Sequence, residues 1–377
     1  MKKIHSASIA VGIALLTSHA HAQSTVVLYG VVDAGLMYVH NSGGKSTQIA
    51  MISGGESSSR FGLKGGEDLG GGLKAIFQIE NGFNVANGRL GQGGRMFGRQ
   101  AYVGLSGNGW GSVTLGRQYD PLTDLVQPVQ GNNWLGGYFT SPGDVDNADD
   151  NARFSNTVKW TSPNWSGLQL ETMYSFGGIA GSVGSGQTYA GAASYTNGPL
   201  ALAAGYQHID NGNVTLSSRG TTSADSVFNS SINNAYSSSR SINIARAGGY
   251  YVLGAFTLGG YYSFSQYNPD ASSTFTKSEK YHNGEVYALW QVSPKVQAQI
   301  GYDYMKSMGD SAAKQHTFAI AADYLLSKRT DLYAVAAYAH ATGQNGAGPA
   351  QAVIGSAAID SGAGKQAMAI VGMRHKF

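Results

Sequence analysis

Segments of about nine residues alternate strictly between apolar and polar side chains, and the connections between such segments alternate between short and long. From 168 to 176 one set is Leu168, Leu170, Thr172, Tyr174 and Phe176, and the other is Gln169, Glu171, Met173 and Ser175. Phe256, Leu258, Gly260, Tyr262 and Phe264 repeat the pattern, as do Val296, Ala298, Ile300, Tyr302 and Tyr304. A period of two with one apolar face describes a sheet lying between two different environments. Turn signals at 67–71, 107–111, 163–167, 197–199, 253–255, 292–295 and 327–330 are short. Between them lie longer polar stretches at 41–58, 82–95, 120–152, 177–186, 211–240, 267–280, 306–313 and 342–364. Fifteen connections imply about sixteen antiparallel strands, an even number with short turns at one rim and long loops at the other. A soluble sandwich has no reason to sort its loops by length. The fold class that follows is all-β, a transmembrane antiparallel β-barrel.

Both ends of the chain agree with that reading. Lys2 and Lys3, the apolar run Ile9 to Leu16, and Ala20-His21-Ala22 form the three parts of a secretory signal peptide over 1–22. The mature protein, 23–377, is expected to begin at Gln23 as a single barrel. The other end is a strand, with Ala369, Val371, Met373 and Phe377 on one face and Ile370, Gly372, Arg374 and Lys376 on the other. Pairing of the last strand with the first closes a barrel and leaves no free edge in lipid. The expected partners are Ala367 to Phe377 and Thr25 to Val39.

Composition removes several alternatives. Without the leader the chain carries 23 basic and 22 acidic residues, not the dense basic face of a nucleic-acid binder. Mean hydropathy is −0.17, which is compatible with a barrel because each strand averages an apolar and a polar face. The chain has no cysteine, hence no disulfide framework and no thiolate metal site. His40, His208, His282, His316, His340 and His375 are scattered, none at metal-ligand spacing. No nucleophile elbow, phosphate loop or dinucleotide fingerprint is present, so no catalytic residue and no cofactor is expected.

Several runs resemble the general porins of the Gram-negative outer membrane, most closely the β-proteobacterial branch. They are Val27-Leu28-Tyr29-Gly30-Val31-Val32-Asp33, Ser59-Arg60-Phe61-Gly62-Leu63-Lys64-Gly65 and Glu67-Asp68-Leu69-Gly70. Gly72 to Glu80, Gly98 to Leu105, Leu115-Gly116-Arg117-Gln118-Tyr119 and the ending Arg374-His375-Lys376-Phe377 complete the set. The resemblance covers essentially the whole mature chain. It implies a sixteen-stranded homotrimer in outer-membrane lipid, with the third loop, 120–152, folded into the lumen. Small hydrophilic solutes and ions would cross it passively. It also implies that the terminal Phe377 is read by the barrel-insertion machinery.

Cations facing mid-bilayer lipid cost about 2–4 kcal/mol, so Arg60 and Lys74, both in polar phases of their strands, belong in the lumen. Arg153 shares a polar phase with Ser155, Thr157 and Lys159; the phase of Arg99 is ambiguous because both faces of its strand hold apolar residues. The resemblance groups Arg60, Arg99 and Arg153 on the wall facing the third loop, with Asp120 and Asp124 as the nearest opposing carboxylates. Ordinary ion pairs at a rim are the competing reading. Cations outnumbering the adjacent acids imply a modest preference for anions. Asp144, Asp146, Asp149 and Asp150 are read as solvated loop charges, with a divalent-cation site as the alternative. Arg117 is in phase with Val113 and Leu115, hence outward, and the resemblance puts it near the trimer interface, although the second loop offers no carboxylate to receive it. An adhesin whose loops bind a ligand, or an outer-membrane hydrolase, are the alternative functions.

Overall fold

A computed structural model describes residues 25–212, 226–357 and 359–377. The expected leader and the mature start at Gln23 lie outside the described residues. Sixteen wall strands form one antiparallel sheet closed on itself. They are β1 (Thr25–Ser42), β2 in two halves (Lys45–Ser53 and Arg60–Gly70), β3 (Leu73–Gly82), β4 (Gln100–Gly107), β5 (Gly111–Gln118) and β6 (Phe154–Thr161). Next come β7 (Leu168–Ser175), β8 (Thr188–Asn197), β9 (Leu200–Asp210), β10 (Ser241–Leu253) and β11 (Phe256–Asn268). The last five are β12 (Glu279–Ser293), β13 (Val296–Met308), β14 (Ala312–Leu325), β15 (Thr330–Asn345) and β16 (Lys365–Lys376).

Closure uses less of β1 than expected. β16 pairs with Val31 to His40, and Gly30 exchanges two 3.0 Å backbone hydrogen bonds with Phe377. Thr25 to Tyr29 run past the chain end and pair only with β2. Two expected loops are also corrected. Most of 41–58 is strand, because β1 and β2 meet in a hairpin over Gly43 and Gly44. The stretch 306–313 shrinks to three residues between β13 and β14. Polar residues there belong to strand ends at the long-loop rim, where polarity carries no loop signal.

The two faces are those of a lipid-embedded barrel. Val286, Ile300 and Val371 are 58–59% exposed, whereas Asp303 and Thr317 are fully buried and Glu285 is 3% exposed. Water outside would penalise this inversion; hydrocarbon outside and a polar interior require it. Phe256 stacks on Trp290 near the turn rim. Toward the other rim the outward histidines sit among aromatic rings: His208 on Tyr189, His282 against Phe264, His316 against Tyr304. Three of the scattered histidines, His208, His282 and His316, are thus members of an aromatic girdle.

The third loop leaves β5 after Tyr119 and crosses the lumen as two short helices, α1 (Pro121–Leu125) and α2 (Asn132–Leu135), with irregular chain around them. Its apolar side packs on the inner wall: Leu122, Val126 and Val145 join Ile244 and Tyr261, and Leu135 and Phe139 join Tyr287 and Ala319. A side chain at Gly301 would place its Cβ 2.1 Å from the Phe139 ring, so glycine there makes the seat. Wall side chains satisfy the irregular backbone. Tyr287 donates to the Val129 carbonyl at 2.8 Å, and Arg246 donates to Leu122 at 2.5 Å and Asn147 at 2.6 Å.

Candidate functional site: the lumen constriction

The third loop, the wall at β1–β3 and the last long loop at Ser356 and Ile359 border a polar cavity of about 630 Å³, with Arg60, Glu80, Arg99, Asp124, Asp149 and Asp150 among the lining residues. Arg99, of ambiguous phase in the sequence, points inward and is 4% exposed. Its Nε lies 2.7 Å from Glu80 and its Nη2 3.5 Å from Asp150. Arg153 reaches Asp150 at 2.7 Å. Both guanidinium groups pack on the Tyr119 ring, that of Arg99 at 5.6 Å and that of Arg153 at 5.3 Å from its centre. Arg60 approaches Glu80 only to 3.9 Å and keeps 29% of its side chain exposed. Three of the four expected cations therefore come together. Lys74 does not: it is exposed beside the β2–β3 turn, opposite Asp68. Six residues separate it from Glu80, roughly 20 Å of strand.

The opposing carboxylates differ from expectation. Asp120 is fully buried and caps α1, accepting from Leu122 N at 2.9 Å and from Thr123 N and Oγ1 at 3.1 and 3.0 Å. Asn147 donates to it as well, at 3.1 Å, and burial pushes its carboxyl above the ordinary range. A cap in that position holds the loop's shape and does not face the solute. Asp124 does line the cavity, paired with Lys159, which also lies 4.0 Å from Glu171.

Of the remaining loop acids, Asp144 and Asp146 are buried, not solvated, whereas Asp149 and Asp150 are half-buried and line the cavity. Asp146 accepts from Tyr261 at 2.7 Å and from Ser141, and Asp144 accepts from the Asp149 amide at 2.8 Å. Asp149 accepts from Ser356 and Asn132. Burial, reinforced by the neighbouring charge of Asp150, pushes the Asp149 carboxyl up to about 7. These four do not cluster as ligands. Among the described residues the one close carboxylate trio is Glu56, Asp323 and Asp331, with the Arg374 guanidinium inside it.

Arg117 follows a register shift in β5 and is 9% exposed, donating to the Gly98 carbonyl at 2.7 Å and to Ser155 at 2.8 Å. It ties the second loop to β6 within this chain. Phe377 is outward and 41% exposed, in phase with Val371 and Met373.

Sequence reasoning missed Glu80, Asp150, Tyr119 and Lys159 as members of the site. Glu80 had a signal: it shares the polar phase of Gln78, and pairing across the Gly70–Gly72 turn sets it opposite Gly62, two residues from Arg60. Asp150 had none, because its position depends on the path of an irregular loop.

A Gram-negative porin family model matches residues 7–344. An outer membrane porin protein of Bordetella pertussis is 30% identical over 364 residues, covering 85% of this chain and 90% of that protein. Major outer membrane protein P.IB of Neisseria gonorrhoeae is 30% identical, covering 82% and 86%. Among solved structures, the anion-selective porin from Comamonas acidovorans superposes with a TM-score of 0.72 at 23% identity, covering 94% of this chain and all of that one. The likeness in sequence runs through wall and constriction loop alike, and with it the chain belongs to the Gram-negative porin family of channel-forming outer-membrane barrels.

Proposed function

We propose that the barrel passes small hydrophilic solutes and ions by diffusion with a modest preference for anions, and that Arg60 sets this preference. The carrying observation is the contrast in exposure among the cations. Arg99, Arg153 and Lys159 keep only 5–8% of their side chains exposed, each against a carboxylate, while Arg60 keeps 29%. Glu80, Asp150 and Asp124 have their charges offset by those partners, so a passing ion meets Arg60 as the most exposed cation of the zone, against an Asp149 whose carboxyl is pushed up to about 7 and is only partly charged. Fixed charge at a narrow, water-filled zone replaces part of an ion's hydration and ranks ions by sign. This departs from a simple excess of cations: Lys74 is remote, and Glu80 and Asp150 restore near-balance.

Transport of this kind involves no catalytic step, and the chain acts as a channel rather than an enzyme. The family relationship further supports a homotrimer in outer-membrane lipid, assembled by insertion machinery that reads Phe377, after export under a leader spanning 1–22. The test is electrical: reversal potentials in a salt gradient for wild type and Arg60→Ser, with three conductance steps per insertion reporting the trimer.

A further inference from the structure

Wall strand β2 breaks inward just before Arg60. Ser53 pairs with Ala34 and Arg60 with Val31, so the six residues 54–59 stand opposite only Val32 and Asp33. They cannot lie in the ladder, and they fold into the lumen, where Glu56, Ser57 and Ser58 line the constriction cavity. Across from them the third loop comes into contact at Gly136. A Cβ there would sit 3.0 Å from the Glu56 Cα and 3.1 Å from the carbonyl oxygens of Gly55 and Glu56. The loop tip therefore rests on this shelf.

Between its anchored ends, Gly54 and Ser59, the shelf is held by the side chains of Asp33 and Arg374. Asp33, fully buried, accepts from the amides of Gly55, Glu56 and Ser57 at 3.1, 3.0 and 2.7 Å, and from the Tyr333 hydroxyl at 2.5 Å. Arg374, from the closing strand β16, lies 2.9 Å from Glu56 and donates to Ser57 Oγ at 2.8 Å. The same guanidinium lies 3.4 Å from Asp323 and 3.2 Å from Asp331.

We propose that residues 54–59 form the second jaw of the constriction, on which the third loop seats, and that Arg374 is the positioning residue that latches this jaw to the closing strand. Three carboxylates, with oxygens mutually within 4.8 Å, share that one guanidinium. Asp323 and Asp331 stand on β14 and β15, which are fixed by their ladder. Glu56 alone sits on backbone outside the ladder, held through Asp33. Without Arg374, Glu56 and Ser57 lose their tie to β16 and Glu56 is left facing Asp323 and Asp331 with repulsion wherever these groups stay ionised, and the shelf is the part free to yield. Its displacement would carry Arg60 and the seat of Gly136 with it. The inference rests on the constriction being the conducting narrow zone.

Single channels of Arg374→Gln and of Arg374→Gln/Glu56→Gln, recorded at low and at 1 M salt, test the proposal. At 1 M the Debye length is about 3 Å, so the effect of a missing lumen charge fades while a displaced jaw remains. The expected result for Arg374→Gln is altered conductance with frequent brief closures that persist at 1 M, and fewer closures in the double variant, where one repelling charge is gone. Wild-type conductance and noise at 1 M in a folded Arg374→Gln channel would overturn the latch. Should that variant fail to assemble, Asp33→Asn weakens the other support of the same segment. It should show the same closures at 1 M, and steady wild-type currents from it would equally overturn the proposal. The narrow zone itself is checked by Arg60→Ser: a selectivity shift there with no effect of Arg374→Gln removes only the latch.

Discussion

Glu80 on β3 and Arg99 at the mouth of β4 form a 2.7 Å ion pair in which both residues are 4% exposed. The pair ties the wall to the constriction, because Arg99 also contacts Asp150 of the third loop and Glu80 also receives the Tyr29 hydroxyl at 2.8 Å. Breaking a buried pair by removing one partner costs about 3–5 kcal/mol, less where lumen water reaches the orphaned charge. Glu80→Gln should lower resistance to unfolding by urea in detergent and also raise anion preference, since Arg99 loses its offsetting charge. Stability and selectivity both unchanged would show that the pair carries neither role.

Asp120→Ala separates a cap from a pore charge. Loss of an N-cap costs about 0.5–2 kcal/mol, here concentrated on α1 and its contact with Asn147. Voltage-induced closure should become easier while the reversal potential stays at its wild-type value. A cation-to-anion shift as large as that expected for a pore-facing acid would contradict the capping role.

Lys74→Ala should leave selectivity unchanged at physiological ionic strength. Its distance from Glu80, roughly 20 Å, exceeds the Debye length of about 8 Å. A reversal-potential shift comparable to that of Arg60→Ser would show that the narrow zone lies nearer the turn rim.

Acidification should strengthen the anion preference. With its carboxyl pushed up to about 7, Asp149 is neutral below that pH and charged above it. It faces Asp144, Asp150, Ser356 and Asn132, with Arg99 and Arg153 nearby, so protonation removes a negative charge beside the arginine wall. The folded value lies above the unfolded one, so the folded loop binds the proton more tightly. Docking of the loop thus gains stability as pH falls from about 7 toward 4 and loses it on the way up. Reversal potentials from pH 8 to 5 should move toward anions with a midpoint near 7, and Asp149→Asn should abolish that step.

Deleting Phe377 removes the 3.0 Å backbone hydrogen bonds with Gly30 and one outward ring, a small part of a sixteen-stranded ladder. Assembly in cells should fall much more than refolding into detergent. Equal losses would mean that the residue acts through stability alone.

The wall was legible in the sequence because lipid and lumen impose opposite demands on alternate residues. Phases read for 168–176, 256–264 and 296–304 match the exposed and buried faces. Alternation also puts Arg60 and Arg153 in polar phases, and both guanidinium groups meet acids of the lumen, Glu80 and Asp150. Inside the lumen the rule stops. Asp120, Asp124 and Asp150 lie in one irregular loop, and only contacts with distant residues such as Tyr261, Arg246 and Ser356 decide which of them is cap and which is pore wall. The break in β2 was hidden for a related reason: 54–59 is glycine and serine-rich, so a strand that pauses and resumes reads as one rim loop.

The most direct test is the reversal potential of Arg60→Ser in a potassium chloride gradient, measured beside Arg153→Ser. Arg60→Ser should shift clearly toward cations, more at low salt, and Arg153→Ser should shift less, because its charge is offset by Asp150. Wild-type selectivity in Arg60→Ser, with folded and conducting channels, would contradict the role assigned to Arg60.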